Sequence, residues 1–97
     1  MNNEYIIIEC DVNNHAGVMS HITGLFARRA FNLEGILCSP LNGGETSRMY
    51  LLVIKDERLE QIVKQIEKLY DVNQVWVRDD YNHKLFDQIH DLVVTNE

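Results

Sequence analysis

The sequence predicts an α+β sandwich: one antiparallel four-stranded sheet carrying two helices on one face, followed by a short C-terminal helix. Three observations carry this. The hydrophobic period switches between two residues and three-to-four residues in the order β-α-β-β-α-β, so a strand–helix–strand unit occurs twice. The chain has 97 residues, room for one core and not two. Its 45% hydrophobic and 25% charged content is that of a soluble globular domain. The expected division is 1–80 for the sandwich and 81–97 for a helical tail.

Tyr5 to Val12 is rich in β-branched residues and reads as the first strand. Ile6, Ile8, Cys10 and Val12 share one face. Tyr5, Ile7, Glu9 and Asp11 share the other, a half-wet face by composition. Asn13 to Gly17 is a turn. Val18, Ile22, Leu25, Phe26 and Ala30 then recur at helical steps, with Arg28 and Arg29 at the cation-favouring end.

Leu33 to Leu41 reads as a second strand. Pro40 cannot donate to a ladder, which makes this strand an edge. Asn42-Gly43-Gly44 is a hairpin signal. Ser47 to Ile54 is apolar on both faces and therefore central. Lys55-Asp56-Glu57 opens a second helix with the stripe Leu59, Ile62, Val63, Ile66 and Leu69. Val72 to Arg78 is the fourth strand. The compact solution for this order is the ferredoxin-like sandwich. Beyond it, Leu85, Phe86, Ile89, Leu92 and Val93 recur at helical spacing. Such a helix needs something to cover, either the wet sheet face or a partner.

Several function classes are disfavoured. The net charge of −6 and pI near 5.1 do not suit the phosphate backbone of nucleic acid. An RNA-binding sandwich would need basic residues beside Tyr5, Tyr50 and Trp76, where Glu9 and Asp11 stand instead. No apolar run reaches the ~20 residues of a membrane span, and no basic leader opens the chain, so a cytoplasmic protein is expected. Cys10 and Cys38 form no CxxC pair and read as buried, reduced, small apolar residues. His83 and His90 lack carboxylates at ligand spacing, so no metal site is expected. No nucleophile, base and orienter come together, so the chain is not read as an enzyme.

One constellation remains. The turn at Asn14 to Gly17 opens the first helix, and Asn32 follows its end. A helix start presents unpaired N–H groups and partial positive charge, which favour a carboxylate. Gly17 permits close approach to the backbone. An asparagine amide supplies an acceptor for an ammonium group. Asn14, Gly17 and Asn32 could thus hold a free amino acid. The alternative is a plain tight turn with Asn32 as a helix cap.

The run Asn14-His15-Ala16-Gly17-Val18-Met19, with Gly24-Leu25-Phe26-Ala27-Arg28-Arg29-Ala30-Phe31-Asn32-Leu33-Glu34, resembles the ACT domain of acetohydroxyacid synthase (acetolactate synthase) small regulatory subunits. Ser47-Arg48-Met49 and the 59–72 segment are similar as well, and the likeness covers roughly residues 5–78. The short length and the Cys38 region are most similar to the valine-sensitive short form. The resemblance implies a non-catalytic subunit that activates a larger catalytic subunit and confers valine feedback inhibition in branched-chain amino acid biosynthesis. Thiamine diphosphate, Mg and FAD would belong to that catalytic subunit, with no cofactor in this chain. The resemblance also implies a homodimer through the second-strand edge, with the effector at the interface. Asn14, Gly17 and Asn32 would touch it, and the Gly17 and Val18 amides would face its carboxylate. Ala16 departs from the proline usual in the family, which would pre-set the first helical residue. A free-standing amino-acid sensor acting on a different enzyme is the alternative.

Overall fold

The computed structural model describes residues 4–79 together with 88 and 89. Its elements are β1 (Tyr5–Asn13), α1 (Val18–Arg28), β2 (Gly35–Leu41), β3 (Thr46–Ile54), α2 (Leu59–Glu67) and β4 (Val72–Arg78). The sheet order is β2-β3-β1-β4, antiparallel throughout. β2 is an edge, as Pro40 requires, and β3 is central. The expected C-terminal helix lies outside the described residues.

Ile6, Ile8, Cys10 and Val12 pair across the sheet with Val53, Leu51, Met49 and Ser47. The apolar members of this layer meet Val18, Ile22, Leu25 and Phe26 of α1 and Ile62 and Ile66 of α2 in one buried core. Phe31 closes the open end, its ring edge-on to Phe26 at 5.8 Å.

Five expectations need correction. Cys38 is exposed, unlike Cys10, because it stands on the edge strand β2, whereas Cys10 lies on the central strand β1. Ala30 is not on the buried helical stripe: it is exposed and takes a left-handed φ of 51°. There it stops α1, with the Phe31 N–H donating to the Phe26 carbonyl at 3.0 Å. β2 starts at Gly35, not Leu33, because Leu33 packs against the core instead of joining the ladder. α2 begins at Leu59, since Lys55 to Arg58 form the turn that enters it.

The outer face of β1 is also drier than its composition suggests. Ile7 is 2% exposed and Glu9 5%. Arg48 and Arg78 each donate to a different oxygen of the Glu9 carboxylate. The Arg48 guanidinium lies 4.8 Å from the Trp76 ring centre and donates weakly to Asp11 at 3.5 Å. Burial pushes the Glu9 carboxyl up, but the hydrogen bonds and charges of the two arginines outweigh it and hold the group below its usual range.

Candidate functional site

The turn between β1 and α1 is strapped on both sides. The Asn13 N–H donates to the Asp71 carbonyl at 2.8 Å, and the Asn14 N–H to the Glu45 carbonyl at 3.0 Å. The Asn14 side chain adds a third strap, its Nδ2 donating to the Gly44 carbonyl at 2.7 Å. This bond fixes the amide plane and leaves Asn14 Oδ1 as an open acceptor. His15 turns aside, its Nδ1 3.3 Å from Asp71 Oδ2.

Gly17 sits at φ +90°, where a side chain would be strained, and a Cβ there would meet no atom within 4 Å. The backbone is thus open to a ligand at this point. The Val18 N–H, expected to face the effector carboxylate, donates instead to the His15 carbonyl at 3.2 Å, which closes the entering turn and corrects that expectation. Among the described residues, nothing accepts from the N–H of Gly17, Met19 or Ser20. No acidic residue stands in the first turn of α1, and no side chain caps it. The start of α1 therefore keeps unpaired donors and its share of the helix dipole. Reading residues singly missed Met19 and Ser20: their amides are free because they lie in the first turn, where the helix has no earlier carbonyl to accept from them.

Asn32 is elsewhere. An 11-residue helix is about 16 Å long, and Asn32 lies beyond its far end from Gly17. Its Nδ2 donates to Glu34 Oε2. It borders a cleft of about 220 Å³ with Phe31, Glu34 and Arg58. One chain thus brings Asn14 and Gly17 together but not Asn32.

Nothing else in the described residues assembles chemistry. No group of three or more histidine, cysteine, aspartate or glutamate side chains could hold a metal among them. Burial, with the Glu9 charge adding to it, pushes the Cys10 thiol up to about 12, so it is no nucleophile at neutral pH. Among the described residues no helix is long and apolar enough to cross a membrane.

Residues 8–74 match the family described as the AHAS (acetohydroxyacid synthase) small subunit-like ACT domain. The chain is 57% identical over 70 residues to the acetolactate synthase isozyme 1 small subunit of Escherichia coli K12, covering 72% of this chain and 73% of that one. It is 40% identical over 70 residues to the acetolactate synthase small subunit of Haemophilus influenzae, covering 71% of this chain but 43% of that longer protein. In structure it is similar to the acetolactate synthase small subunit of Thermotoga maritima, with TM-score 0.67 and 26% identity over 89% of this chain and 66% of that one. The ACT domain of a GTP pyrophosphokinase from Chlorobium tepidum shares the fold, with TM-score 0.68 at 16% identity over 86% of this chain and 94% of that one.

Proposed function

The chain belongs to the AHAS small subunit-like ACT domain family, and from that premise we propose that it is a non-catalytic regulatory subunit of acetohydroxyacid synthase. It activates a separate catalytic chain and makes it sensitive to valine. The names of its relatives support the enzyme, and the free start of α1 supports an amino-acid effector. The observation that carries the effector reading is the vacancy itself: unpaired amides at Gly17, Met19 and Ser20 beside an oriented Asn14. The amides take the effector carboxylate and Asn14 Oδ1 takes its ammonium.

A second copy supplies Asn32. β2 leaves one ladder of its backbone unpaired, and Ile36 and Leu41 on it are 40% and 39% exposed. Met19, at the start of α1, is 41% exposed. A two-fold axis normal to the sheet pairs β2 with its mate antiparallel and closes both edges. That operation sets the start of β2 in one copy beside the end of β2 in the other. Asn32, three residues before β2, then approaches the mate's hairpin end, where Asn14 is tied to Gly44. The site is completed between chains, so effector binding and subunit arrangement are coupled.

Two experiments test this. Calorimetry of the isolated chain should show heat with valine and none with alanine at the same concentration; equal heats would remove the branched-chain pocket. Mixing Asn14→Ala chains with Asn32→Ala chains should restore valine binding at about a quarter of the sites, because half of the randomly formed dimers hold one intact site. No restoration would place both asparagines on one chain. A free-standing sensor for another enzyme would show the same heats but would not co-purify with a thiamine-diphosphate enzyme.

A further inference from the structure

We propose that the cleft between the end of α1 and the start of α2 docks an acidic segment of the catalytic chain through Arg28, Arg29 and Arg58. This docking rests on the subunit reading above. The cleft holds about 200 Å³ and is lined by these three arginines with Gln61 and Ile62, so no acid borders it among the described residues. The chain has 15 acidic residues against 9 lysines and arginines, an excess that offers every cation a partner. Most of them take one: Arg48 and Arg78 pair with Glu9, Lys55 with Glu4, Arg58 with Asp56 and Lys64 with Glu60. Arg28, Arg29 and Lys68 are left without a carboxylate partner among the described residues. The two arginines lie side by side in this cleft, both exposed.

A helix end favours cations, but that alone does not account for the pair. The carbonyl of Arg29, the C-cap of α1, is taken by Arg58 Nη1 at 3.0 Å. Arg58 is fixed in turn. Both Asp56 oxygens accept from it, at 3.1 and 3.2 Å, and its guanidinium lies 5.0 Å from the Phe31 ring centre. Arg28 and Arg29 thus stand beside a fixed cation with their own side-chain donors unused. Guanidinium groups grip carboxylates with paired N–H bonds and are weakly hydrated, which suits them to a protein interface. The cleft is smaller than the about 300–1,000 Å³ of small-molecule sites, and it takes the ends of partner side chains instead. A chain of net charge −6 repels an acidic segment over most of its surface and admits it here. Arg58 also borders the neighbouring cleft that Asn32 lines. A docked carboxylate therefore sits next to the residue through which a second copy completes the effector site, and this links valine binding to the catalytic chain.

Titration of the full chain against the catalytic chain measures the docking. Arg28→Glu/Arg29→Glu should bind about 100-fold or more weakly, and the parent's binding should weaken as salt is raised. Lys64→Glu/Lys68→Glu makes the same change of charge farther along α2 and should bind as the parent does. Undiminished binding by Arg28→Glu/Arg29→Glu, or an equal loss in both variants, overturns the proposal. If circular dichroism shows that Arg28→Glu/Arg29→Glu unfolds, Arg28→Gln/Arg29→Gln replaces it: a loss of about tenfold supports the docking, and no loss overturns it. Heat with inorganic phosphate on the isolated chain, at undiminished affinity of the arginine variants for the catalytic chain, also overturns it and gives the cleft to a small anion. A parent chain that does not bind the catalytic chain removes the subunit reading and this proposal together. A parent that binds, with arginine variants that bind equally well, removes the docking surface alone.

Discussion

The two helices of this molecule begin with the same hydrogen-bond pattern, but Gly17 enters α1 at φ 90°, in the left-handed region, whereas Arg58 enters α2 at φ −80°, and the side chains differ. At α1 the Val18 N–H donates to the His15 carbonyl at 3.2 Å, and the His21 N–H to the Gly17 carbonyl at 3.0 Å. At α2 the Leu59 N–H donates to the Asp56 carbonyl at 3.0 Å, and the Ile62 N–H to the Arg58 carbonyl at 3.1 Å. His15 thus corresponds to Asp56, and Gly17 to Arg58. At α2 the Asp56 carboxylate turns inward, accepts from the Arg58 backbone N–H at 2.8 Å and clasps the Arg58 guanidinium. Glu60 adds negative charge in the first turn. At α1 His15 turns outward to Asp71 and no acid follows. The Arg58 amide is taken by its own chain and the Gly17 amide is not, while the amides of Glu60 and Gln61 at α2, like those of Met19 and Ser20 at α1, stay unpaired among the described residues. The difference between the two starts is therefore one amide and the nearby acidic charge, both set by one or two side chains.

The largest expected effect comes from making α1 like α2. His15→Asp puts a carboxylate two residues before the N-cap of α1, the sequence position that Asp56 holds before Arg58 at α2. Valine affinity should fall about 100-fold, or about 2.7 kcal/mol, while His15→Ala binds as the parent does. Calorimetry measures both, and strong binding by His15→Asp would move the effector site away from α1.

Asn14→Ala comes next. It removes an acceptor for a charged donor, a bond worth about 1.5–3 kcal/mol, so binding should weaken by roughly 10- to 100-fold. Valine inhibition should disappear while activation of the catalytic chain persists; inhibition kept intact would exclude Asn14. The converse change, Asp56→Ala, vacates α2 without giving it a flanking asparagine. The melting temperature should drop by a few degrees with valine affinity unchanged. A second valine site appearing in calorimetry would show that vacancy alone suffices.

The smallest effect is a difference in acid response. Hydrogen bonds from the Arg58 side chain, and then from its backbone N–H, hold the Asp56 carboxyl below its usual range. A folded value below the unfolded one stabilises α2 above the ordinary carboxylate range of about pH 4, and this support is lost as the pH falls through the folded value. The first turn of α1 has no acid to titrate. Amide exchange at Arg58 should therefore accelerate below about pH 4 while exchange at the first turn of α1 follows only the intrinsic pH dependence. Parallel behaviour at both helix starts would contradict the contrast.

The element order was readable because period and punctuation are local. Pro40 marked the edge strand through one missing N–H, and Gly17 marked the loop whose backbone has a positive φ. Ala30 was misread because an alanine at helical spacing looks like core; nothing in its own chemistry shows that Phe31 must turn inward after it. Glu9 was read as half-wet because its neighbours on β1 are mixed, whereas its two arginines come from 39 and 69 residues away.

The amino-acid sequence by itself determined the alternation of strands and helices, the exposed edge at β2, and the donor-rich turn at Asn14 to Gly17. Each follows from the conformational preferences of neighbouring residues. Only the tertiary structure decided that Asn14 is held by Gly44, that the free amides include those of Met19 and Ser20, and that Asn32 lies a helix length away. Those facts depend on strand register and helix length acting across the fold, which no local run of residues reports.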